Sequence, residues 1–330
     1  MRIGIDVGGT NTDAVLMDGR NVRGWAKAPT TDDVSGGITR ALTDLMTASH
    51  VAPGAVDAVM LGTTHFTNAV VERRALSPTA VVRIGLPATA SLPPFVDWPA
   101  DLVDALGGQG FLVHGGYEFD GRPIAPLDEG ELRTVAGKIR DAGITSVAVS
   151  GVFSPVNADQ EQHVAAVLAD VIPGVRVSLS HEIGRIGLLE RENAAAMNAC
   201  LTDLATRIVR SFRTALAELG IAAPFYISQN DGTLMSAEFM ERYPVLTFAS
   251  GPTNSMRGAA FLSGVKDGVV VDIGGTTSDV GVLAHGFPRE ASAAVRVGGV
   301  RTNFRMPDVY SFGLGGGSHV QTAAAHRPPE

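Results

Sequence analysis

The chain has 330 residues, 45% apolar and 18% charged, which excludes a disordered protein because there is enough apolar surface to offset the ordering entropy. At roughly 150 residues per domain, this length predicts about two domains. The 26 Lys and Arg against 34 Asp and Glu leave a net charge of −8, which excludes a general nucleic-acid binder but not an anion held by backbone amides. The one cysteine, Cys200, excludes a disulfide framework and a multi-cysteine zinc site, and reads as a small buried residue on a helix. No apolar run reaches the roughly 18 residues of a membrane span, and the start lacks the apolar core of a signal peptide. The expectation is a soluble, cytoplasmic protein with no membrane partner.

The first segment reads as a strand over 2–7, broken at Gly8-Gly9-Thr10-Asn11-Thr12-Asp13 and resumed at Ala14-Val15-Leu16-Met17. Asp18-Gly19 is a second turn signal before a strand over 22–28, which makes a three-strand meander. Asp32 or Asp33 caps a helix over 34–49, where Ile38, Leu42, Leu45 and Met46 fall on a helical period. A strand over 56–61, a turn into a helix over 63–74 and a strand over 79–84 follow. Residues 85–130 are rich in Pro and Gly and read as an irregular insertion. Helices over 132–142 and 159–170 then alternate with strands over 146–152 and 175–179. A long helix over 188–219, a strand over 224–228 and a helix over 253–262 lead to an apolar strand over 269–272. That strand breaks at a glycine turn and resumes over 280–284, and residues past 321 read as a frayed tail. The pattern predicts an α/β fold with a first lobe over 1–185, insertion included, and a second over 186–330.

Glycine is the compositional oddity, with 39 residues, about 12% against a usual figure of about 7%. Two of its runs are near copies. Asp6-Val7-Gly8-Gly9-Thr10-Asn11-Thr12-Asp13 recurs 266 positions later as Asp272-Ile273-Gly274-Gly275-Thr276-Thr277-Ser278-Asp279. A repeat at that distance points to a duplicated domain. The glycines permit positive φ and remove side chains, so that backbone amides can turn onto a phosphate, while the hydroxyls add donors. An aspartate at the strand end repels a phosphate unless a hard cation lies between them, and Mg²⁺ with retained waters suits that place. Two such hairpins would clamp a polyphosphate from both sides. There is no Gly-x-x-x-x-Gly-Lys-Ser/Thr loop and no dinucleotide fingerprint, because here strand runs into strand. A third run, Gly313-Leu314-Gly315-Gly316-Gly317-Ser318, would let backbone pass close to an adenine or ribose.

These hairpins resemble those of the actin, chaperone ATPase and sugar kinase superfamily. With Leu61-Gly62-Thr63-Thr64-His65-Phe66-Thr67-Asn68-Ala69, Ser228-Gln229-Asn230-Asp231-Gly232 and Ala249-Ser250-Gly251-Pro252, the chain is similar to the hydantoinase/oxoprolinase family, to which N-methylhydantoinase A and the acetone carboxylase β subunit belong. The resemblance covers nearly the whole chain. It implies a two-lobed actin-like ATPase fold, a duplicated ribonuclease H-like core, with the nucleotide in the cleft between lobes. It also implies ATP-dependent opening of a cyclic amide such as a hydantoin or 5-oxoproline, or ATP-driven activation of a ketone. Asp6 and Asp272 would hold Mg²⁺ and act in catalysis. Gly8, Gly9, Thr10, Asn11, Gly274, Gly275, Thr276, Thr277, Gly315, Gly316 and Gly317 would hold ATP. Thr63, Thr64, His65, Asn68 and Asp231 would meet the substrate. One of the two carboxylates could instead orient the attacking oxygen.

Other readings stay open. Thr63 could simply cap a helix, with His65 on the surface, and Asp231-Gly232 could be a plain turn. His181-Glu182 lacks the second histidine of a His-Glu-x-x-His zinc helix and reads as a strand exit or an interdomain contact, and Lys138 and Arg140 read as solvated. In Thr253-Asn254-Ser255-Met256-Arg257 the chain departs from the small residues and glycines the family more often has. Family members also usually continue well beyond Ser318 and work with a second subunit, here one of the hydantoinase B type. A small-molecule kinase and a non-catalytic, nucleotide-dependent scaffold are the alternatives in function, and a homo-oligomer is left open.

Overall fold

The computed structural model describes residues 1–8, 11–31, 34–275, 277–291 and 295–319. Gly9, Thr10, Thr276, the expected caps Asp32 and Asp33, and the tail from 320 lie outside the described residues.

The chain begins with the expected meander, β1 (Arg2–Val7), β2 (Asn11–Asp18) and β3 (Asn21–Pro29), followed by α1 (Val34–Ser49), β4 (Ala58–Thr63) and α2 (His65–Glu72). β4 lies parallel to β1 on the edge opposite β2, in the register Asp6↔Gly62 and Val7↔Thr63. Alternation along β1 turns Ile3, Ile5 and Val7 into the core, against Ile38, Leu42 and Leu45 of α1.

Residues 79–179 form a separate parallel sheet. Its elements are β5 (Thr79–Leu86), α3 (Ala100–Ala105), β6 (Gln109–His114), α4 (Glu129–Asp141), β7 (Ser146–Gly151), α5 (Asp159–Val171) and β8 (Arg176–Leu179). The strand order is β6-β5-β7-β8. The stretch 85–130 therefore supplies an edge strand of this sheet. Its Gly110 lies so close to Pro94 that a Cβ there would come within 2.9 Å of the proline ring, a contact between the loop and β6 that no local pattern announces. β5 and β7 are buried on both faces, as a parallel sheet covered by helices requires.

α6 (Leu188–Glu218) packs on this sheet and on α1. Its first half is buried all round, so its polar side chains need partners. Glu192 accepts from Arg83 and from Ser150 at 2.6 Å, Asn193 accepts from Trp98 at 2.6 Å, and Asn198 donates to Ser178 at 3.0 Å. Cys200 is buried among them, as its place on a helix predicts.

The chain then returns to the first sheet with β9 (Phe225–Ser228) and β10 (Leu234–Ser236), which extend it beyond β4 to the order β10-β9-β4-β1-β2-β3. α7 (Ala237–Arg242) and α8 (Ser250–Ser263) follow. A third sheet holds β11 (Gly268–Ile273), β12 (Ser278–Ala284) and β13 (Phe287–Pro288), and a small hairpin holds β14 (Val295–Val297) and β15 (Val300–Thr302). β16 (Val309–Phe312) pairs with β12 in the third sheet. β10 and β13–β16 are at most four residues long, too short for a periodic signal, and were not expected.

Candidate active site

The sequence repeat is a structural repeat. β1 and β2 close on a bond from the Gly8 N–H to the Asn11 carbonyl (3.0 Å), and β11 and β12 on one from the Gly274 N–H to the Thr277 carbonyl (2.9 Å). The registers match as well, Asp6↔Asp13 in one and Asp272↔Asp279 in the other. Neither Gly8 nor Gly274 adopts a positive φ, so at these two positions backbone freedom is not what calls for glycine. Space is the reason: a Cβ would lie 3.2 Å from the Asn11 carbonyl at Gly8 and 3.3 Å from the Thr277 carbonyl at Gly274.

The hydroxyl at the seventh repeat position has a structural role in both copies. Thr12 is buried and bonds Thr30, which in turn donates to the Gly8 carbonyl at 2.8 Å. Ser278 is buried and donates to the Leu314 carbonyl at 2.5 Å. That bond draws the third glycine run onto the second hairpin, where Gly316 N–H donates to the Gly274 carbonyl (2.9 Å) and Gly317 N–H to the Gly275 carbonyl (2.8 Å). Gly315 N–H donates to the Ser318 hydroxyl at 2.9 Å. The three amides are engaged within the protein, and the run offers a side-chain-free surface next to the hairpin.

Both hairpin aspartates border α8, Asp6 beside Asn254 and Asp272 bonded to Ser255. Burial first, then the Asp13 and Asp272 carboxylates, raise the Asp6 pKa above its ordinary value. Asp13 has its own counter-ion in Lys27 at 3.1 Å, whereas Asp6 has none among the described residues. Gly62 makes the space for Asp6, since a Cβ there would lie 2.8 Å from Asp6 Oδ1 and 2.5 Å from Asn254 Nδ2. Asp6, Asp13, Gly62, Trp25 and Asn254 share a cavity of 530 Å³. One residue on, Ser255 donates to Asp272 Oδ2 at 2.6 Å. α8 thus stands between the two hairpins.

No group of three or more His, Cys, Asp or Glu side chains converges among the described residues. Mg²⁺ does not require one, because it binds through one or two carboxylates and keeps waters and phosphate oxygens. Two carboxylates that repel each other, neither of them in an ion pair among the described residues, fit that ion.

Beside the hairpins, a second cavity of 420 Å³ is lined by Thr63, Thr64 and Asn68 together with Ser250, Arg296 and apolar groups that include Phe248 and Val71. Thr64 reaches it because its N–H donates to the Val7 carbonyl at 3.3 Å, next to Asp6. α2 and α8 both begin beside this cavity, and neither N-cap residue, Thr64 or Ala249, makes a side-chain capping bond. His65 is not on the wall. Its Nδ1 bonds the Thr63 hydroxyl at 2.8 Å and burial lowers its pKa, favouring the neutral ring. Asp231 is not brought to this group either. It closes its own turn by accepting from Thr233 N–H (2.9 Å) and hydroxyl (2.6 Å), and it faces a separate cavity with Arg185 and Arg305. Sequence reasoning missed Asn254, Ser255 and Arg296. The first two lie in the stretch that departs from the family pattern, which was the available signal, and Arg296 sits on a three-residue strand with none.

The sequence model of the hydantoinase/oxoprolinase N-terminal region matches residues 2–172, and that of hydantoinase/oxoprolinase matches residues 191–327. The chain belongs to the hydantoinase/oxoprolinase family. It is 28% identical over 348 residues to caprolactamase subunit alpha of Pseudomonas jessenii, covering 96% of this chain and 48% of the relative. It is 28% identical over 357 residues to the acetophenone carboxylase gamma subunit of Aromatoleum aromaticum, covering 96% and 47%. The structure of the ATP-dependent caprolactamase from Pseudomonas jessenii superposes with a TM-score of 0.80 at 25% identity, over 97% of this chain and 49% of that one. Nucleotide-free acetone carboxylase superposes with a TM-score of 0.78 at 19% identity, over 95% and 48%. The fold is that of the hydantoinase-type, actin-like ATPases. The chain spans about half the length of the relatives it matches. Among the described residues, no helix is long and apolar enough to cross a membrane.

Proposed function

We propose that this protein is an ATP-dependent enzyme that opens a cyclic amide, with Mg²⁺-ATP between the two hairpins and the amide in the 420 Å³ cavity. The observation that carries the reading is the meeting of the two repeat copies on α8, where Asn254 lies beside Asp6 and the next residue, Ser255, donates to Asp272. An amide resists hydrolysis because resonance strengthens its C–N bond. ATP bound here would transfer its γ-phosphoryl group to the carbonyl oxygen with ADP leaving, which would make the carbon electrophilic enough for water to add; the tetrahedral intermediate would expel the ring nitrogen, protonated as it leaves, and a second water would release phosphate from the acyl phosphate.

The chain's own part is positioning and charge stabilisation. Asp6 and Asp272 would hold the metal. Gly8, Gly9, Thr10 and Asn11, with Gly274, Gly275, Thr276 and Thr277, would surround the phosphates, and the run at Gly315, Gly316 and Gly317 would lie along the nucleotide. Asn68 offers an amide donor, and the hydroxyl oxygens of Thr63, Thr64 and Ser250, whose protons are engaged within the protein, offer acceptors to a small neutral ring amid apolar wall. We assign the two lobes to the first and third sheets, so that the first takes β9 and β10 from beyond residue 185. Because the relatives named above are subunits, a second subunit of the hydantoinase B type is part of the proposal.

The likeness to acetophenone carboxylase favours a second reading, ATP-driven activation of a ketone, for which the same apolar cavity would serve. The test is phosphate release measured over a panel of cyclic amides and ketones, with and without a co-purified second subunit. Stimulation by a cyclic amide supports the first reading, and stimulation by ketones alone the second. No stimulation by any of them contradicts both.

A further inference from the structure

α8 bonds both hairpin-bearing sheets. Towards the first, Ser250 donates to the Thr63 carbonyl at 3.2 Å, Thr253 to the Asn230 carbonyl at 3.0 Å, and Asn254 lies over Gly62 beside Asp6. Towards the third, Ser255 donates to Asp272, Met256 packs on Gly281 of β12, and the Arg257 guanidinium lies 3.9 Å over the Phe287 ring. The Ser255 bond differs from the rest in that its acceptor is a carboxylate assigned to the nucleotide site.

Asp272 has a single hydrogen-bond partner among the described residues, and it is Ser255. One oxygen, Oδ2, is held at 2.6 Å, and Oδ1 has no protein partner among the described residues. A short hydroxyl-to-carboxylate bond fixes the plane of a carboxylate that otherwise rotates freely about χ2. The repeat itself does not supply this bond. In the first copy the space around Asp6 is bounded by Gly62 and the Asn254 amide, and Asp6 accepts no hydrogen bond from a side chain among the described residues. The two carboxylates are therefore held differently: Asp6 by burial and shape, Asp272 by a hydroxyl on the helix that also contacts the other sheet.

We propose that Ser255 is a positioning residue for the metal nucleotide: its hydroxyl orients Asp272 so that Oδ1 is free for the cation, and it ties that orientation to the first sheet through α8. The inference rests on the reading of Asp6 and Asp272 as the metal-binding pair. It assigns Ser255 no contact with ATP and no share in proton transfer.

The test is calorimetric titration of the purified protein with ATP, in Mg²⁺ and again in excess chelator, for the native protein, Ser255→Ala and Ser255→Thr, with thermal melts of all three. We expect Ser255→Ala to weaken binding in Mg²⁺ about tenfold, the effect of losing one charge-assisted bond, and to leave binding in chelator unchanged. Ser255→Thr keeps the hydroxyl and should stay within about twofold of the native affinity, a difference of about 0.4 kcal/mol. Unchanged Mg²⁺-dependent binding in Ser255→Ala would overturn the inference. So would equal weakening with and without the metal, or a Ser255→Thr variant as weak as Ser255→Ala with an intact melt, because either result makes the role one of packing. A native protein that binds ATP with no dependence on Mg²⁺ would instead remove the metal-site reading beneath it.

Discussion

Cys200 shows how far a single residue can be read. Its place on an apolar helical period predicts burial, and burial pushes its pKa up to about 12. The thiol should therefore resist a thiol-specific reagent at neutral pH in the folded protein and react only in denaturant. Fast labelling of the native state, followed by mass spectrometry, would contradict this. The polar residues beside it were not legible, because their partners are distant in sequence. Glu192 meets Arg83 across 109 positions in a fully buried pair. Glu192→Ala leaves that arginine uncompensated and should lower unfolding stability by about 3–5 kcal/mol in urea titrations, the typical cost of breaking such a pair.

His181 stands at the exit of β8, as its sequence suggests, and joins Glu161 at 2.6 Å. The hydrogen bond that His181 donates to Glu161 raises the His181 pKa, and although burial opposes it, the bonds donated by His181 and Ser180 hold Glu161 below its ordinary value. The histidine's contribution to stability is therefore full below its unfolded pKa of about 6.5 and is lost as pH rises through the raised folded value. The glutamate's is present above about 4.3 and is lost as pH falls through its lowered value. Urea titrations across pH should show stability falling on the alkaline side of about 6.5, and His181→Gln should flatten that arm. An unchanged slope in the variant would refute the assignment.

At the scale of elements, strands and helices longer than about six residues were legible because their apolar period is. α8 begins three residues earlier than expected, since Ser250-Gly251-Pro252 reads locally as a loop and becomes helical only where Ala249 adopts φ 57° and turns the chain. Which neighbours α8 joins was not legible, and neither was the size limit at Gly62. Both are set by the meeting of β4 with α8, about 190 residues apart in sequence. Gly62→Ala should displace Asp6 and Asn254 together and reduce substrate-stimulated ATP cleavage by about 10²-fold, the usual cost of a misplacement near 1 Å. Adding Asn254→Gly should recover only part of the loss, because the clash with Asp6 remains. Complete recovery would place the whole effect on Asn254 rather than on the carboxylate.

For the whole molecule, the duplication was visible in sequence, but the unequal setting of its copies was not. Ile3, Ile5 and Val7 of β1 lie in the main core, whereas their counterparts Val269, Val271 and Ile273 are 67%, 54% and 67% exposed on β11. Among the described residues β1 is paired on both edges and β11 on one. A periodic pattern marks the face a strand could bury, and only the assembled fold decides what covers it. The N–H groups of β11 should therefore exchange with solvent faster than those of β1 in hydrogen-exchange measurements without nucleotide.

The same measurement with Mg²⁺-ATP added is the most direct test that two hairpins hold one nucleotide. The account predicts that one equivalent of Mg²⁺-ATP slows exchange at residues 6–13 and 272–279 together, with one midpoint, and that Asp6→Asn abolishes the protection at both. Protection of one hairpin alone, or separate midpoints for the two, would contradict it.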